Sequence, residues 1–325
     1  MIEVKNLSKK YGSHIAVRNA SFTVNDGEVL GFLGLNGAGK STIMNIMTGY
    51  LSMTSGSVSI NGFDILSNPA EAKRHIGYLP ELPPLYPDMT VKEYLNFIYD
   101  LKRVKLPRAP HIAEILRLVK LENVYNRLIK NLSKGYRQRV GIAQTLLGTP
   151  DVIILDEPTV GLDPKQIIEI RNLIHHLGKN HTVIVSSHIL SEIQSVCDRI
   201  IVINGGVIIA DGKPDELGAM ITGENAVTVR VRAEDSGAKV KLLKQFENMK
   251  GIESVGVVDS PEIGAFDYII SISPDAGDIR PLIVGRVMES GGTLLGFKAT
   301  EFNLEEIFLR LTDVSAEANK EETEE

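Results

Sequence analysis

Cysteine is nearly missing from this chain: Cys197 is the only one in 325 residues. A lone thiol excludes an intramolecular disulfide and any zinc site built on cysteines, so a small buried side chain is its expected role. Long apolar runs are missing too, and none approaches the ~20 residues of a membrane-spanning helix. Met1-Ile2-Glu3-Val4 opens directly into a strand pattern, so no signal peptide is expected. Nor is there an excess of basic charge, with 35 Lys and Arg against 41 Asp and Glu and a net charge of −6. Five Glu and one Lys in Val314–Glu325 supply −4 of that total. The rest is nearly neutral and lacks the basic footprint of a nucleic-acid binder, so no nucleic-acid partner is expected. These absences point to a cytoplasmic globular protein. Its 43% hydrophobic and 23% charged content suits a chain that buries a large core. Its length suits two domains.

What the chain does have is Gly34-Leu35-Asn36-Gly37-Ala38-Gly39-Lys40-Ser41-Thr42. It follows an apolar run, Val29–Leu33, that reads as a buried strand, and precedes Ile43–Met47, which has helical spacing. Gly34, Gly39, Lys40 and Ser41 fit the phosphate-binding loop in the strand–loop–helix setting that the pattern requires. Glycines let successive backbone N–H groups point into one concavity, and the helix behind adds its positive end. Lys40 then bridges the outer phosphates and the Ser41 hydroxyl ligates Mg²⁺. A nucleoside triphosphate is the expected ligand.

Short β runs dominate up to Asn61-Gly62, a hairpin-turn signal. Ile76–Leu79 reads as a strand leaving into a loop that Pro80, Pro83, Pro84 and Pro87 keep non-helical. A helical insert follows over about 88–150. Thr90 and Glu93 form a capping-box pattern ahead of Val91, Tyr94, Leu95, Ile98 and Leu101. Ile112, Ile115, Leu116 and Val119 mark a second helix, and Leu132–Val140 opens a third. Val152–Leu155 and Thr182–Ser186 read as strands buried on both faces, with a helix at about 164–178 between them. Strands alternating with helices predict a parallel α/β core. From about Asn225 the order becomes βαββαβ, a small ferredoxin-like layer. The expected domains are thus 1–222 and 223–314, with a boundary within 218–224, a last helix at 303–311 and an acidic disordered tail at 315–325.

Asp156 and Glu157 follow the strand Val152–Leu155. An acidic pair there, downstream of a phosphate loop, suits Mg²⁺ held by Asp156 and water polarised by Glu157. At this point residues 1–222 resemble the nucleotide-binding subunit of ABC transporters, an α/β phosphate-loop NTPase core with an antiparallel β subdomain and the helical insert. The resemblance rests on an ordered set: Tyr11, the phosphate loop, Leu79-Pro80-Glu81, Leu132–Val140, Leu155–Pro158, Gly161-Leu162-Asp163-Pro164 and His188. Leu132-Ser133-Lys134-Gly135 resembles the family signature.

The resemblance implies roles residue by residue. Tyr11 stacks on adenine, or is a strand-end aromatic of the core. Ser133 and the Gly135 N–H meet the γ-phosphate bound by a second copy of the chain or by a homologous ATPase subunit. Asp163 crosses towards the opposite phosphate loop, and His188 contacts the γ-phosphate and helps position water. The catalytic pair is then Glu157 and His188, and the cofactors are ATP and Mg²⁺, the latter held by Ser41, Asp156 and Glu81. Glu81 stands where the family usually has Gln; it either reaches the metal or is a solvent-facing loop acid. Lys134 and Tyr136 replace the usual Gly and Gln, variants similar to those of bacterial export-type subunits.

The implied function is ATP hydrolysis that energises the separate transmembrane permease subunits of an exporter from the inner face of the membrane. Leu82, Leu85 and Tyr86 either receive a permease helix or pack locally. The alternative function is a soluble ABC ATPase that remodels a partner without transport. Arg137, Gln138 and Arg139 are expected to cover a helix surface. His14, His75, His111, His175, His176 and His181 are expected to be solvated or structural. The C-terminal layer is open between dimer support, sensing and a spacer.

Overall fold

The computed structural model describes residues 1–214, 226–232, 236–260, 264–273 and 276–299, with Leu217 and Glu262. The expected boundary at 218–224, the last helix at 303–311 and the tail at 315–325 lie outside the described residues. The chain divides into two compact units, Met1–Pro214 and Asp215–Glu325.

In the first unit, β1 (Ile2–Tyr11) and β2 (His14–Val24) form a hairpin that leads into β3 (Val29–Leu33). The phosphate loop joins β3 to α1 (Lys40–Met47). Then come β4 (Ser55–Ile60), β5 (Phe63–Asp64), α2 (Pro69–Arg74) and β6 (Ile76–Leu79). Asn61 and Gly62 between β4 and β5 have φ of 51° and 82°, the paired positive values of a two-residue hairpin turn. The insert supplies α3 (Val91–Leu101), α4 (Arg108–Val119) and α5 (Lys134–Leu146). The core resumes with β7 (Val152–Leu155), α6 (Pro164–Leu177), β8 (Thr182–Ser187), α7 (Leu190–Gln194), β9 (Arg199–Asn204) and β10 (Val207–Gly212).

Two sheets result. One is antiparallel, in the order β2-β1-β4-β5. The other runs β10-β9-β3-β8-β7-β6, with every neighbouring pair parallel except β9 with β10. The strands β3 and β7 are buried along their whole length, because α5, α6 and α7 pack on the parallel sheet and α1 with the antiparallel sheet covers it as well. Side chains from both sheets and α1, among them Ile2, Phe22, Phe32, Ile43, Met47 and Ile184, share one core cluster. Cys197 is buried as expected, outside that cluster and beside Gly31. A Cβ on Gly31 would meet its sulfur at 2.9 Å, so the thiol fills space that the glycine leaves open. Burial pushes its pKa up.

The capping box of α3 is present: Thr90 accepts from the Glu93 N–H, and Glu93 accepts in return from Thr90. One core position differs from the expected spacing. Leu101 is exposed and Tyr99 is buried in its stead, because the Tyr99 hydroxyl donates to the Leu106 carbonyl beyond the helix end. Among the described residues, no helix is long and apolar enough to cross a membrane.

The second unit contains β11 (Ala226–Arg232), α8 (Ser236–Glu247), β12 (Ile252–Asp259), β13 (Ala265–Ile272), α9 (Arg280–Glu289) and β14 (Thr293–Ala299). Its sheet order, β12-β13-β11-β14, is the ferredoxin-like arrangement of a βαββαβ chain. Val229, Phe246, Tyr268, Ile270 and Ile283 centre its own core, where the rings of Phe246 and Tyr268 meet edge to face at 5.4 Å.

Candidate functional site

Sheet order sets the site. The strands β7, β8 and β3 are neighbours, with Leu155 opposite Val185 and Leu33 opposite Ser187. The segments leaving their C-terminal ends therefore converge: the phosphate loop from β3, Asp156-Glu157 from β7 and His188 from β8. Ligands of parallel sheets bind at such ends.

The loop conformation requires its glycines. Gly37 and Gly39 have φ of 83° and 109°, values that side chains disfavour. A Cβ at Gly34 would come within 2.5 Å of the Ile203 carbonyl, and one at Gly39 within 2.7 Å of the Ala16 carbonyl. Gly39 caps α1 without any side-chain acceptor. The first-turn N–H groups of that helix thus remain for an anion. Lys40 is buried at 5% exposure. Its ammonium donates to the carbonyls of Gly34 at 2.7 Å and Leu35 at 3.3 Å.

Glu157 lies 3.3 Å from that ammonium through Oε1. The contact is ionic and lacks hydrogen-bond geometry, so Oε1 is a buried oxygen with no donor of its own. Its Oε2 meets His188 Nδ1 at 2.9 Å. The Glu157 backbone has φ of 48°, a left-handed conformation that costs a non-glycine residue about 1 kcal/mol. Ser186, at the end of β8, holds the acidic pair in place. Its hydroxyl donates to Asp156 Oδ1 at 2.6 Å and accepts from the Glu157 N–H at 2.8 Å. Ser186 was not singled out in the sequence; the signal is the pair of hydroxyls closing an otherwise aliphatic strand.

A cleft of about 340 Å³ is lined by residues 36–42, Glu81 and Glu157. Glu81 is exposed, so both readings of it meet here: it is a solvent-facing loop acid that borders the phosphate cleft. Tyr11 is 48% exposed, with the Lys9 ammonium 5.1 Å from its ring centre. Its alternative role as a core aromatic is thereby excluded. It closes the β1–β2 hairpin opposite His14, two residues before the Ala16 that abuts Gly39.

The signature residues are elsewhere. Ser133 is the N-cap of α5, where its hydroxyl accepts from the Tyr136 N–H at 3.4 Å. Asp163 caps α6 by accepting from the Gln166 N–H at 2.9 Å. Gly135 is buried, and a Cβ there would lie 2.4 Å from the Gln166 side chain. Gly135 and Asp163, but not Ser133, border a second cleft of about 290 Å³, which also includes Tyr136 and Gln166 and shares no residue with the first. The Lys134 ammonium occupies the space that a Cβ on Gly161 would need, 2.1 Å away.

The expectation for Gln138 and Arg139 is corrected: both are buried, not surface cover. Arg139 donates to the Val119 carbonyl at 2.9 Å and pairs with Glu169, tying α5 to α4 and α6. Arg137 is exposed as expected. Three of the other histidines have structural partners: His75 meets Asp151, His111 accepts from the Gly148 N–H, and His181 meets the Pro150 carbonyl.

Among the described residues, no group of three His, Cys, Asp or Glu side chains gathers as a protein-only metal site. Ser41 and Glu81 line the cleft with Glu157, while Asp156 is buried behind it.

Strand, glycine loop, buried lysine and terminal carboxylates together define a phosphate-loop NTPase. The ABC transporter family model matches residues 17–160. The chain is 34% identical over 313 residues to the bacitracin transport ATP-binding protein of Bacillus licheniformis, covering 96% of this chain and 97% of that one. It is 32% identical to the Nod factor export ATP-binding protein I of Burkholderia orbicola, covering 96% of each. A dimeric ATP-binding cassette in a post-hydrolysis state with ADP and Pi superposes with a TM-score of 0.60 at 28% identity, over 66% of this chain and 98% of that one. The chain belongs to the ATP-binding, ATP-hydrolysing subunits of the ABC transporter family.

Proposed function

We propose that two copies of this chain, or this chain and a homologous subunit, enclose ATP between the phosphate loop of one and Ser133–Gly135 of the other, and so drive export through a separate permease. The observation that carries this reading is that Gly135 and Asp163 border a cleft that shares no residue with the cleft of the phosphate loop. Export is taken over from what the bacitracin and Nod factor relatives are named for.

In this reading, arriving phosphates draw the Lys40 ammonium away from the Gly34 and Leu35 carbonyls and loosen its contact with Glu157. The Glu157 Oε1 then accepts a proton from water, while His188 on Oε2 fixes the carboxylate plane. Ser186 keeps Asp156 and the Glu157 backbone in register throughout. Magnesium, when bound, neutralises phosphate charge; Ser41, Asp156 and Glu81 are the residues that would hold it. Ser133 and Gly135 of the second copy offer a helix N-terminus to the γ-phosphate.

The permease contact is proposed at the loop after β6 and the groove beside α3. Leu82 is 82% exposed, while Tyr86 is half-packed, its ring edge-on to Phe97 at 5.5 Å. Tyr50 and Leu101, also exposed, border an adjoining groove of about 420 Å³. An amphipathic permease helix suits such a surface. The chain would then sit on the inner face of the membrane through that contact. The test is co-purification with the permease encoded beside it. Wild-type protein is expected to be retained and Leu82→Asp/Tyr50→Asp to be lost, with ATP binding intact in both. Retention of the double variant would remove this surface from the contact.

A further inference from the structure

Behind the acidic pair and the histidine lies a buried carboxylate to which the reading above gives no part. Glu192, on α7, is 7% exposed, and its Oε2 accepts two hydroxyl protons. One comes from Thr159 at 2.5 Å and the other from Ser187 at 3.1 Å. Thr159 and Ser187 are themselves buried, at 6% and 2%. Thr159 lies two residues after Glu157, and Ser187 immediately precedes His188. The Ser187 oxygen also accepts from the Ile189 N–H at 3.0 Å, so it grips the chain on both sides of His188.

One carboxylate oxygen thus joins the segment that carries Glu157 to the segment that carries His188. These two segments must hold their side chains 2.9 Å apart. Ser186 fixes the Glu157 backbone from one side, and Glu192 reaches the same segment through Thr159. Glu157 stands on left-handed backbone, and His188 lies beyond the last residue of β8 in a half-open position. The cavity around Glu192, Thr159 and Ser187 measures about 10 Å³, room for one water at most. The contacts are therefore direct. Ser186 and Ser187 divide the work: Ser186 faces Asp156 and Glu157, and Ser187 faces Glu192.

We propose that Glu192 is a positioning residue of the hydrolytic step, clamping the Glu157 and His188 segments together through Thr159 and Ser187. It touches no nucleotide. The proposal rests on the reading of Glu157 and His188 as the hydrolytic pair. Loss of the clamp lets the two segments drift independently, and displacements of about 1 Å at a reacting group are enough to cost up to ~10²-fold in rate.

The test measures kcat and nucleotide affinity for full-length Glu192→Ala, Glu192→Gln and the double variant Thr159→Val/Ser187→Ala. Glu192→Ala is expected to lower kcat by about tenfold or more with ATP affinity held within about twofold, the split of a transition-state effect. Glu192→Gln retains an acceptor oxygen and recovers most of that loss. The double variant reproduces the loss, and adding it to Glu192→Ala lowers kcat no further, as for members of one network. Should Glu192→Ala fail to fold, the hydroxyl double variant decides by itself. Wild-type kcat in the double variant overturns the proposal, as does a loss of kcat matched by an equal loss of affinity. Glu157→Gln is the control: if it turns ATP over at the wild-type rate, the hydrolytic reading itself fails. If it is silent while the clamp variants are fully active, only the clamp fails.

Discussion

Around the phosphate loop, Lys40, Asp156 and Glu157 keep 5%, 2% and 5% of their surface, while Ser133 and Asp163 at the signature side stand exposed. The first group is tied into a network of carbonyls, a serine and a histidine that holds charge out of water. The second group spends its polar atoms on capping its own helices. Burying charge is costly unless it is paired, so the loop side must be assembled in advance. A helix N-cap costs little to keep in water and can be lent to a ligand later. In the proposed two-copy site, one side would do the chemistry and the other would recognise that it is ready.

The comparison breaks most visibly in turnover. Glu157→Gln is expected to lower kcat by about 10²-fold or more while ATP still binds, as read by steady-state hydrolysis and nucleotide titration. Wild-type turnover in that variant would remove the carboxylate from the chemistry. Ser133→Arg should silence hydrolysis with nucleotide affinity unchanged, because the loop side is intact; size-exclusion in ATP should then show no dimer. Equal loss of binding in Ser133→Arg and Lys40→Ala would erase the distinction between the two sides.

Stability sharpens it further. Lys40→Met strands the buried Glu157 carboxylate, so the nucleotide-free protein should lose about 3 kcal/mol in chemical denaturation. Lys40→Met/Glu157→Gln should regain part of that, whereas Asp163→Ala removes only a cap, worth about 1 kcal/mol.

The smallest effect belongs to the far end of the signature helix. There Lys102, exposed along its stem, donates through its ammonium to the Gln144, Thr145 and Leu147 carbonyls. Burial pulls its ammonium down to about 8, below its unfolded value of 10.5. Between those values the unfolded chain holds more protons, so stability from this group rises with pH across that window. Wild type should gain melting temperature relative to Lys102→Met as pH goes from 7 to 10, by about a degree or two.

The phosphate loop and the carboxylate pair were legible because each is a local pattern whose chemistry needs only its neighbours in sequence. The C-terminal βαββαβ order was legible for the same reason, through alternation of short periodic runs. Gln138 and Arg139 were misread because the partner that buries Arg139, Glu169, lies 30 residues on, where spacing says nothing of contact. The hairpin of β9 and β10 went unread, although Gly205 and Gly206 form a two-residue turn with positive φ of 53° and 80°. Ser186 shows the limit most plainly. A hydroxyl in a buried strand acquires meaning only once sheet order has set Asp156 beside it.

The proposed division of the site between two copies would also make this an enzyme sensitive to dilution. If each copy carries half of a site, the isolated chain loses specific activity as its concentration falls below the dimer dissociation constant. Two copies fastened to one permease face each other at an effective concentration on the order of millimolar, whatever their number in the cell. Mounting alone would then switch the ATPase on, and stray subunits would leave the ATP pool untouched.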